Sequence, residues 1–250
     1  MSSVLQGSGR PWQSCKALLF DKDGTLINFR LMWLGWCREV IRNMGAHYPP
    51  AAVEKCLSAW GVDLALGGIE PGGYLAIGST ADLQQSLALK LQEEKVCAAE
   101  AEEVVLAAMQ QAYCAVEEKK LVQPIEGIPE MVVELHRRGY QLAVVTTDDA
   151  AKAEDNLKAI GLDQYFTVLL GCDRVARCKP APDLVLEACR LLKLKPDQTA
   201  VIGDTVADLQ MGQAAGTACN IGVASGVTAP GSLLAYADLV LESAAHLIRQ

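Results

Sequence analysis

Asp21 and Asp23 stand two residues apart at the end of the apolar run ALLFDKDGTL (17–26). Carboxylates placed there repel each other and lose hydration, so a purpose is expected for them. Three other segments end in the same manner. QLAVVT (141–146) ends in Thr146 and is followed by Thr147, Asp148 and Asp149. TAVIGD (199–204) ends in Asp204, with Asp208 four residues later. CKPAPD carries Lys179 in a stretch stiffened by Pro180 and Pro182. Carboxylates that converge need a cation, and hard oxygen donors suit Mg2+ better than zinc. A lysine and a hydroxyl beside such a site suit a phosphate group, and Gly24 and Thr25 add backbone N–H groups in a turn.

Chemistry of this kind needs elements that bring these residues to one edge. KALLFD (16–21), QLAVVT (141–146), FTVLLG (166–171), TAVIGD (199–204), TACNIGV (217–223) and ADLVLES (237–243) read as strands. GIPEMVVELHRRG (127–139), AAKAEDNLKAIG (150–161), PDLVLEACRLLKL (182–194) and the stretch from Thr205 to Gly216 read as helices. Apolar strands alternating with helices predict an α/β fold, a Rossmann-like parallel sheet with helices on both faces. Ligands of such sheets sit beyond the C-terminal strand ends. A helix opening near Thr205 keeps Asp208 on the side of Asp204. Alternation turns Lys22 away from the site.

Residues 29–121 differ. Four alanine-rich helical stretches and no convincing strand predict an all-helical insertion after the first strand, broken by a Gly-rich loop around Gly67–Gly78. The expected division is a core of 1–28 with 122–250 and an insertion of 29–121, hinged near Asn28–Arg30 and Leu121–Glu126.

The 250 residues suffice for one large domain or two modest ones, and 51% apolar residues predict a packed core. A net charge of −8 argues against a nucleic-acid surface. No run reaches the length of a membrane span, and residues 1–14 lack the apolar stretch of a secretory signal, so a frayed terminus and a cytoplasmic protein are expected. The nine cysteines are scattered without a CxxC pair and read as small core residues in a reducing compartment.

With the four motifs in view, the chain resembles the haloacid dehalogenase superfamily of phosphohydrolases. DKDGT (21–25), VVTTD (144–148), Lys179 in CKPAPD and GDTVAD (203–208) match its four motifs in order, and the framework between them covers essentially the whole chain. The resemblance implies the roles. Asp21 is the nucleophile that forms an aspartyl phosphate, and Asp23 is the general acid and then the base. Thr146 donates to a phosphoryl oxygen, and Lys179 neutralises charge. Asp21, Asp204 and Asp23 (through its backbone carbonyl) hold Mg2+, with Asp208 on a metal water or orienting its neighbours. Gly24, Thr25, Thr147 and Arg30 are the candidate substrate contacts. The insertion corresponds to the helical cap that closes over such sites, with Arg30, Trp33 and the loop near Tyr74–Thr80 as candidate readers of the leaving group. Two positions depart from the family pattern: Thr147 stands where Asn is common, and Asn28-Phe29 where Asp-Ser is common.

The implied function is a Mg2+-dependent phosphatase of the phosphoglycolate phosphatase-like branch, acting on a small phosphorylated metabolite as a monomer or homodimer. The alternatives are a sugar phosphomutase of the same branch and a non-catalytic binding protein on the same fold. Asp148, Asp149 and Asp173 read as helix caps or loop carboxylates.

Overall fold

The computed structural model describes residues 4–6, 11–93 and 98–248. The chain divides into two compact units, Met1–Asn28 with Pro124–Gln250, and Phe29–Gln123. It enters the first unit with β1 (Val4–Gln6), a 3-10 turn over Pro11–Ser14 and β2 (Ala17–Phe20).

The inserted unit follows with α1 (Phe29–Met44), α2 (Pro50–Ser58), β3 (Val62–Asp63), β4 (Gly68–Ile69), α3 (Tyr74–Ile77), α4 (Thr80–Glu93) and α5 (Ala98–Glu118). Its core is aromatic. Trp36 stacks on Trp60 with centroids 5.7 Å apart, and Trp33 meets Trp36 and Tyr113 edge-on at 5.2 and 6.2 Å. The Trp36 Nε1–H donates to the Met109 carbonyl (3.3 Å), and buried Glu39 pairs with Lys119 and Arg42, which ties α1 to α5. One feature differs from the expectation of helices alone. β3 and β4 form a two-residue antiparallel ribbon. Asp63 Oδ1 accepts from the N–H groups of Ala65 and Leu66, and Gly67 takes φ +67°, so local turn chemistry reverses the chain. A ribbon this short shows no alternation in sequence.

Back in the first unit come α6 (Ile128–Arg137), β5 (Gln141–Val145), α7 (Ala150–Ala159), β6 (Val168–Leu170), α8 (Asp183–Leu192), β7 (Thr199–Gly203), α9 (Val206–Ala215), β8 (Cys219–Val223), α10 (Pro230–Leu233) and β9 (Leu239–Leu241). α6 forms where Pro129 fits the first turn, and it buries Ile128, Met131, Val132 and Leu135 on one face. α8 does the same with Leu184, Val185, Ala188, Cys189 and Leu192. The strand order is β1-β9-β8-β7-β2-β5-β6. β2, β5, β6, β7, β8 and β9 pair in parallel, and β1 joins antiparallel.

β2 is central and fully buried, which is why it reads as a continuous apolar run; burying each of Leu18, Leu19 and Phe20 contributes about 1.5–3 kcal/mol. In register, Phe20 lies beside Val144 of β5 and Ile202 of β7. The chain builds β5 and β6 outward on one side of β2, then crosses to add β7, β8 and β9 on the other. That reversal opens the crevice at the C-terminal strand ends where Asp21, Thr146 and Asp204 emerge.

Val4–Gln6 and Pro11–Ser14 correct the expectation of a frayed terminus, while residues 1–3 and 7–10, which it also covered, lie outside the described residues. β1 pairs along β9, whose free edge would otherwise present unpaired N–H and C=O groups. Trp12 is buried, with its ring 5.8 Å from that of Tyr140, and the Tyr140 hydroxyl donates to the Gln13 carbonyl (3.3 Å). Trp12→Ala should therefore lower the stability of the chain by about 3–5 kcal/mol in urea unfolding; a loss under about 1 kcal/mol would mean that the segment does not pack.

Candidate active site

Parallel strand ends deliver the first carboxylates. The Asp21 N–H donates to the Ile202 carbonyl (2.8 Å), which continues the β2–β7 ladder one residue and fixes where the Asp21 side chain leaves the sheet. Asp204 follows β7, and Asp208 sits in the first turn of α9. Asp21, Asp204 and Asp208 each offer an oxygen within 4.8 Å of the others, and all three are buried. Thr205 explains how Asp208 is aimed. Its N–H and hydroxyl both reach Asp208 Oδ2 (3.0 and 2.6 Å), while its Oγ accepts from the Asp208 N–H (3.2 Å), a reciprocal cap of α9. Asp208 Oδ1 is thereby left to face the cluster.

Lys179 supplies the cation on the protein side. Its ammonium pairs with Asp21 Oδ1 at 2.5 Å and with Asp208 Oδ1 at 2.7 Å. Burial would pull the lysine pKa down, but the two carboxylates outweigh it and hold the ammonium charged. Three carboxylates and one ammonium leave 3 − 1 = 2 negative charges in a dry pocket. The electrostatics register this excess. Burial first, then Asp208 and Asp23 against the opposing Lys179, push the Asp21 pKa up to about 7. Burial, Asp21 and Asp208 push Asp204 well above the usual carboxylate range, against the Val227 N–H that bonds its Oδ2 (3.0 Å). Asp204 Oδ1 is buried without a hydrogen-bond partner. A doubly negative pocket with an orphaned carboxylate oxygen fits a divalent hard cation.

Lys22 corrects the expectation that it turns away and plays no part. It is fully buried, and its ammonium lies 2.8 Å from Asp23 Oδ2 and 3.2 Å from Asp148 Oδ2. Burial lowers its pKa, yet the two carboxylates together raise it above the ordinary lysine value. Asp23 therefore presents its carboxylate to Lys22 and lies outside the trio of clustered carboxylates, so any bond from Asp23 to a cation would come from its backbone. Asp148 is more than a loop carboxylate, since it is the second counter-charge to Lys22. Asp173 does cap a helix, accepting from the Ala150 N–H at the start of α7 (2.8 Å).

Glycines make room for Asp204. Gly24 has φ +86°, and a Cβ there would fall 2.6 Å from Asp204 Oδ2; at Gly226 it would fall 1.8 Å away. Ser225 Oγ donates to the Gly24 carbonyl (2.8 Å), joining the two loops. Gly226, Ser225 and Val227 were missed by motif reading; a glycine-bearing loop directly after the apolar strand 219–223 is the signal that could have marked them. Thr146 is buried at the end of β5, and its Oγ accepts from the Asp148 N–H (3.2 Å); Thr147 is half-buried. Thr25 Oγ1 is buried with no hydrogen-bond partner. Arg30 belongs to the inserted unit, where Nη1 donates to the Gly67 carbonyl (2.7 Å). Trp33 lies in the aromatic core there, and Tyr74–Ile77 forms α3. Ser79 is engaged in capping α4 through Asp82.

Two outcomes follow from these charges. In buffer without divalent cations, the folded chain keeps a proton on Asp21 that the unfolded chain has lost, between the ordinary value of 3.8 and about 7. Stability should fall as pH rises through that window, and Asp21→Asn should flatten the slope of the urea midpoint against pH; an unchanged slope would contradict the raised Asp21 pKa. Separately, Lys22→Met strands the buried Asp148 carboxylate and the part-buried Asp23 carboxylate and should cost about 3 kcal/mol. Adding Asp148→Asn to that variant should cost less than the sum of the single losses, read by a double-mutant cycle.

The family described as haloacid dehalogenase-like hydrolase matches residues 15–216. The pyrophosphatase PpaX of Halalkalibacterium halodurans is 40% identical over 97 residues, 39% of this chain and 45% of that protein; PpaX of Bacillus mycoides is 40% identical over 98 residues, 39% and 46%. The chain thus matches under half the length of these relatives. Among solved structures, a predicted phosphoglycolate phosphatase from Haemophilus somnus superposes with TM-score 0.69 at 21% identity, covering 94% of this chain and 97% of that one. CbbY from Rhodobacter sphaeroides, in complex with xylulose 1,5-bisphosphate, gives 0.66 at 22% identity over 92% and 95%. The family match spans all four motifs and both units, and the chain belongs to the haloacid dehalogenase-like hydrolases.

Proposed function

We propose that the chain is a Mg2+-dependent phosphatase that hydrolyses a small phosphorylated metabolite through an aspartyl phosphate on Asp21. The observation that carries this reading is the buried constellation of Lys179 with Asp21 and Asp208, set beside Asp204. A nucleophile in ion pair with a lysine, in a pocket short of two positive charges, suits attack on a phosphoryl group more than storage of stability.

Asp21 attacks phosphorus and displaces the leaving oxygen, forming the acyl phosphate. Asp23 gives its proton to that oxygen and later takes one from the water that hydrolyses the intermediate. Lys22 holds the Asp23 carboxylate in place for both transfers. Lys179 balances negative charge on the transferring group and on Asp21, and Thr146 donates its hydroxyl to a phosphoryl oxygen. Asp21, Asp204 and the Asp23 carbonyl would hold Mg2+, with Asp208 beside them, and the ion would offset the charge of nucleophile and phosphate together. The inserted unit acts as the cap that excludes water and reads the leaving group, with Arg30 and the 74–80 segment as its candidate contacts.

A phosphomonoester of the phosphoglycolate type is the favoured substrate. A second reading, inorganic pyrophosphate, is favoured by the PpaX identity of 40% over 97 residues; there the leaving group is phosphate itself. A mutase would return the phosphoryl group to a sugar phosphate. Phosphate release should be measured across phosphorylated metabolites, pyrophosphate and a hexose 1-phosphate with Mg2+, comparing kcat/KM. Free phosphate from a carboxylated or sugar monoester supports the leading reading, preference for pyrophosphate replaces it, and isomerised ester without free phosphate marks a mutase. Asp21→Asn should lower turnover by about 10³-fold or more while the fold persists, and wild-type activity in that variant would overturn the nucleophile assignment.

A further inference from the structure

The stretch between β6 and α8 has a feature that phosphoryl chemistry does not require. Cys172 and Cys178 lie side by side, with Cα atoms 5.3 Å apart, inside the range that a disulfide needs. The sequence reading placed both among isolated core thiols. Among the described residues, Cys15, Cys37, Cys56, Cys114, Cys189 and Cys219 are free thiols.

The two cysteines sit at unequal ends of a short loop. Cys172 is anchored. Its N–H donates to the Asp148 carbonyl (3.1 Å), and its neighbour Asp173 accepts from the Ala150 N–H (2.8 Å). Gly171 permits this approach, since a Cβ there would fall 2.3 Å from the Asp148 carbonyl oxygen. The Cys172 end is therefore fixed to the segment that follows Thr146. Cys178 is the residue directly before Lys179, whose ammonium holds Asp21 and Asp208. Between them Arg174 and Arg177 are exposed, and both cysteines are only partly buried, so a small oxidant or reductant can reach them. The stretch is also held by the Val175 N–H on the Cys172 carbonyl (3.4 Å), the Ala181 N–H on the Cys178 carbonyl (3.0 Å), the packing of Val175 against the core and the exposed pair of Arg177 with Asp183 (2.7 Å), of which the exposed pair restrains little.

We propose that Cys172 and Cys178 are a reversible oxidation site, with a low-molecular-weight disulfide as oxidant, and that the bond fixes the stretch carrying Lys179. The thiolate of one cysteine attacks a sulfur of the oxidant, breaks its S–S bond, expels one thiol and is left as a mixed disulfide with the other half of the oxidant. The other cysteine attacks the protein sulfur and expels the second thiol. Two electrons pass to the oxidant, and the two cysteine protons leave with the two thiols released. Oxidised, the Lys179 backbone is tethered through Cys178 to the anchored Cys172 turn. Reduced, that covalent tether is lost and the lysine is held by its ion pairs, the backbone hydrogen bonds on the Cys172 and Cys178 carbonyls and the packing of Val175. In a reducing compartment, a disulfide so close to the surface serves as a switch rather than as a permanent staple.

The full chain should be equilibrated in mixtures of oxidised and reduced glutathione, alkylated and digested. The expected product of the oxidised samples is a Cys172–Cys178 linkage that disappears as reduced glutathione rises. Hydrogen exchange at the backbone amides of residues 175–179 should be slower in the oxidised chain than in the reduced one. Cys178→Ala should exchange like the reduced wild type in every mixture, and Cys172→Ser provides the same test from the other end. Under the phosphatase reading, reduction should also lower kcat several-fold in wild type and leave both variants unaffected. Absence of the linkage in every mixture, or equal exchange in the two states, would overturn the proposal. Because mass and exchange need no turnover, a chain that hydrolyses none of the tested phosphates overturns the phosphatase reading alone.

Discussion

The placement of one buried ammonium governs this structure. Lys179 reaches the C-terminal edge of the sheet from the loop after β6 and bridges Asp21 of the β2 end to Asp208 of α9. Without that charge, three buried carboxylates within 4.8 Å of one another would share one pocket. With it, two negative charges remain uncompensated, and the folded chain carries that excess as raised carboxylate pKa values. Such a pocket is poorly designed for stability alone, and its donor set fits a hard cation. The strand ends, the reciprocal cap of Thr205 and Asp208, and the close glycines around Asp204 all serve that arrangement.

A second buried lysine divides the work. Lys179 faces Asp21 and Asp208, whereas Lys22 faces Asp23 and Asp148. Two carboxylates two residues apart are thereby held in different electrostatic surroundings. Asp21 lies in an acidic cluster that favours its protonation, and Asp23 lies against an ammonium. The phosphatase proposal gives these neighbours different roles, attack for Asp21 and proton transfer for Asp23.

The fold supplies what the charges need. Parallel strands end together, so side chains far apart in sequence emerge at one edge, and reversal of strand order at β2 leaves a crevice there. The inserted unit keeps its own aromatic core and its own buried ion pair, so its packing does not draw on the residues of the site.

Much of this was legible in the sequence. Apolar runs ending in Asp21, Thr146 and Asp204, with helices between them, determined a parallel sheet and the edge at which chemistry would gather, because burial on both faces leaves a continuous apolar signature. Helix boundaries fell within a few residues, because Pro129 and Pro182 open helices and Gly216 closes one by backbone geometry alone. The Asp148 partner of Lys22, the docking of Trp12 and the pairing of Cys172 with Cys178 left no local trace, and the cradle of Gly226 and Val227 around Asp204 left only a glycine after an apolar run. Each depends on which distant segments meet, and periodicity reports only which face of an element is buried. The sequence by itself determined the elements and the order of the reactive residues. Tertiary structure decided which charge faces which, because electrostatic partnership is a matter of distance and burial, and neither is encoded in residue spacing.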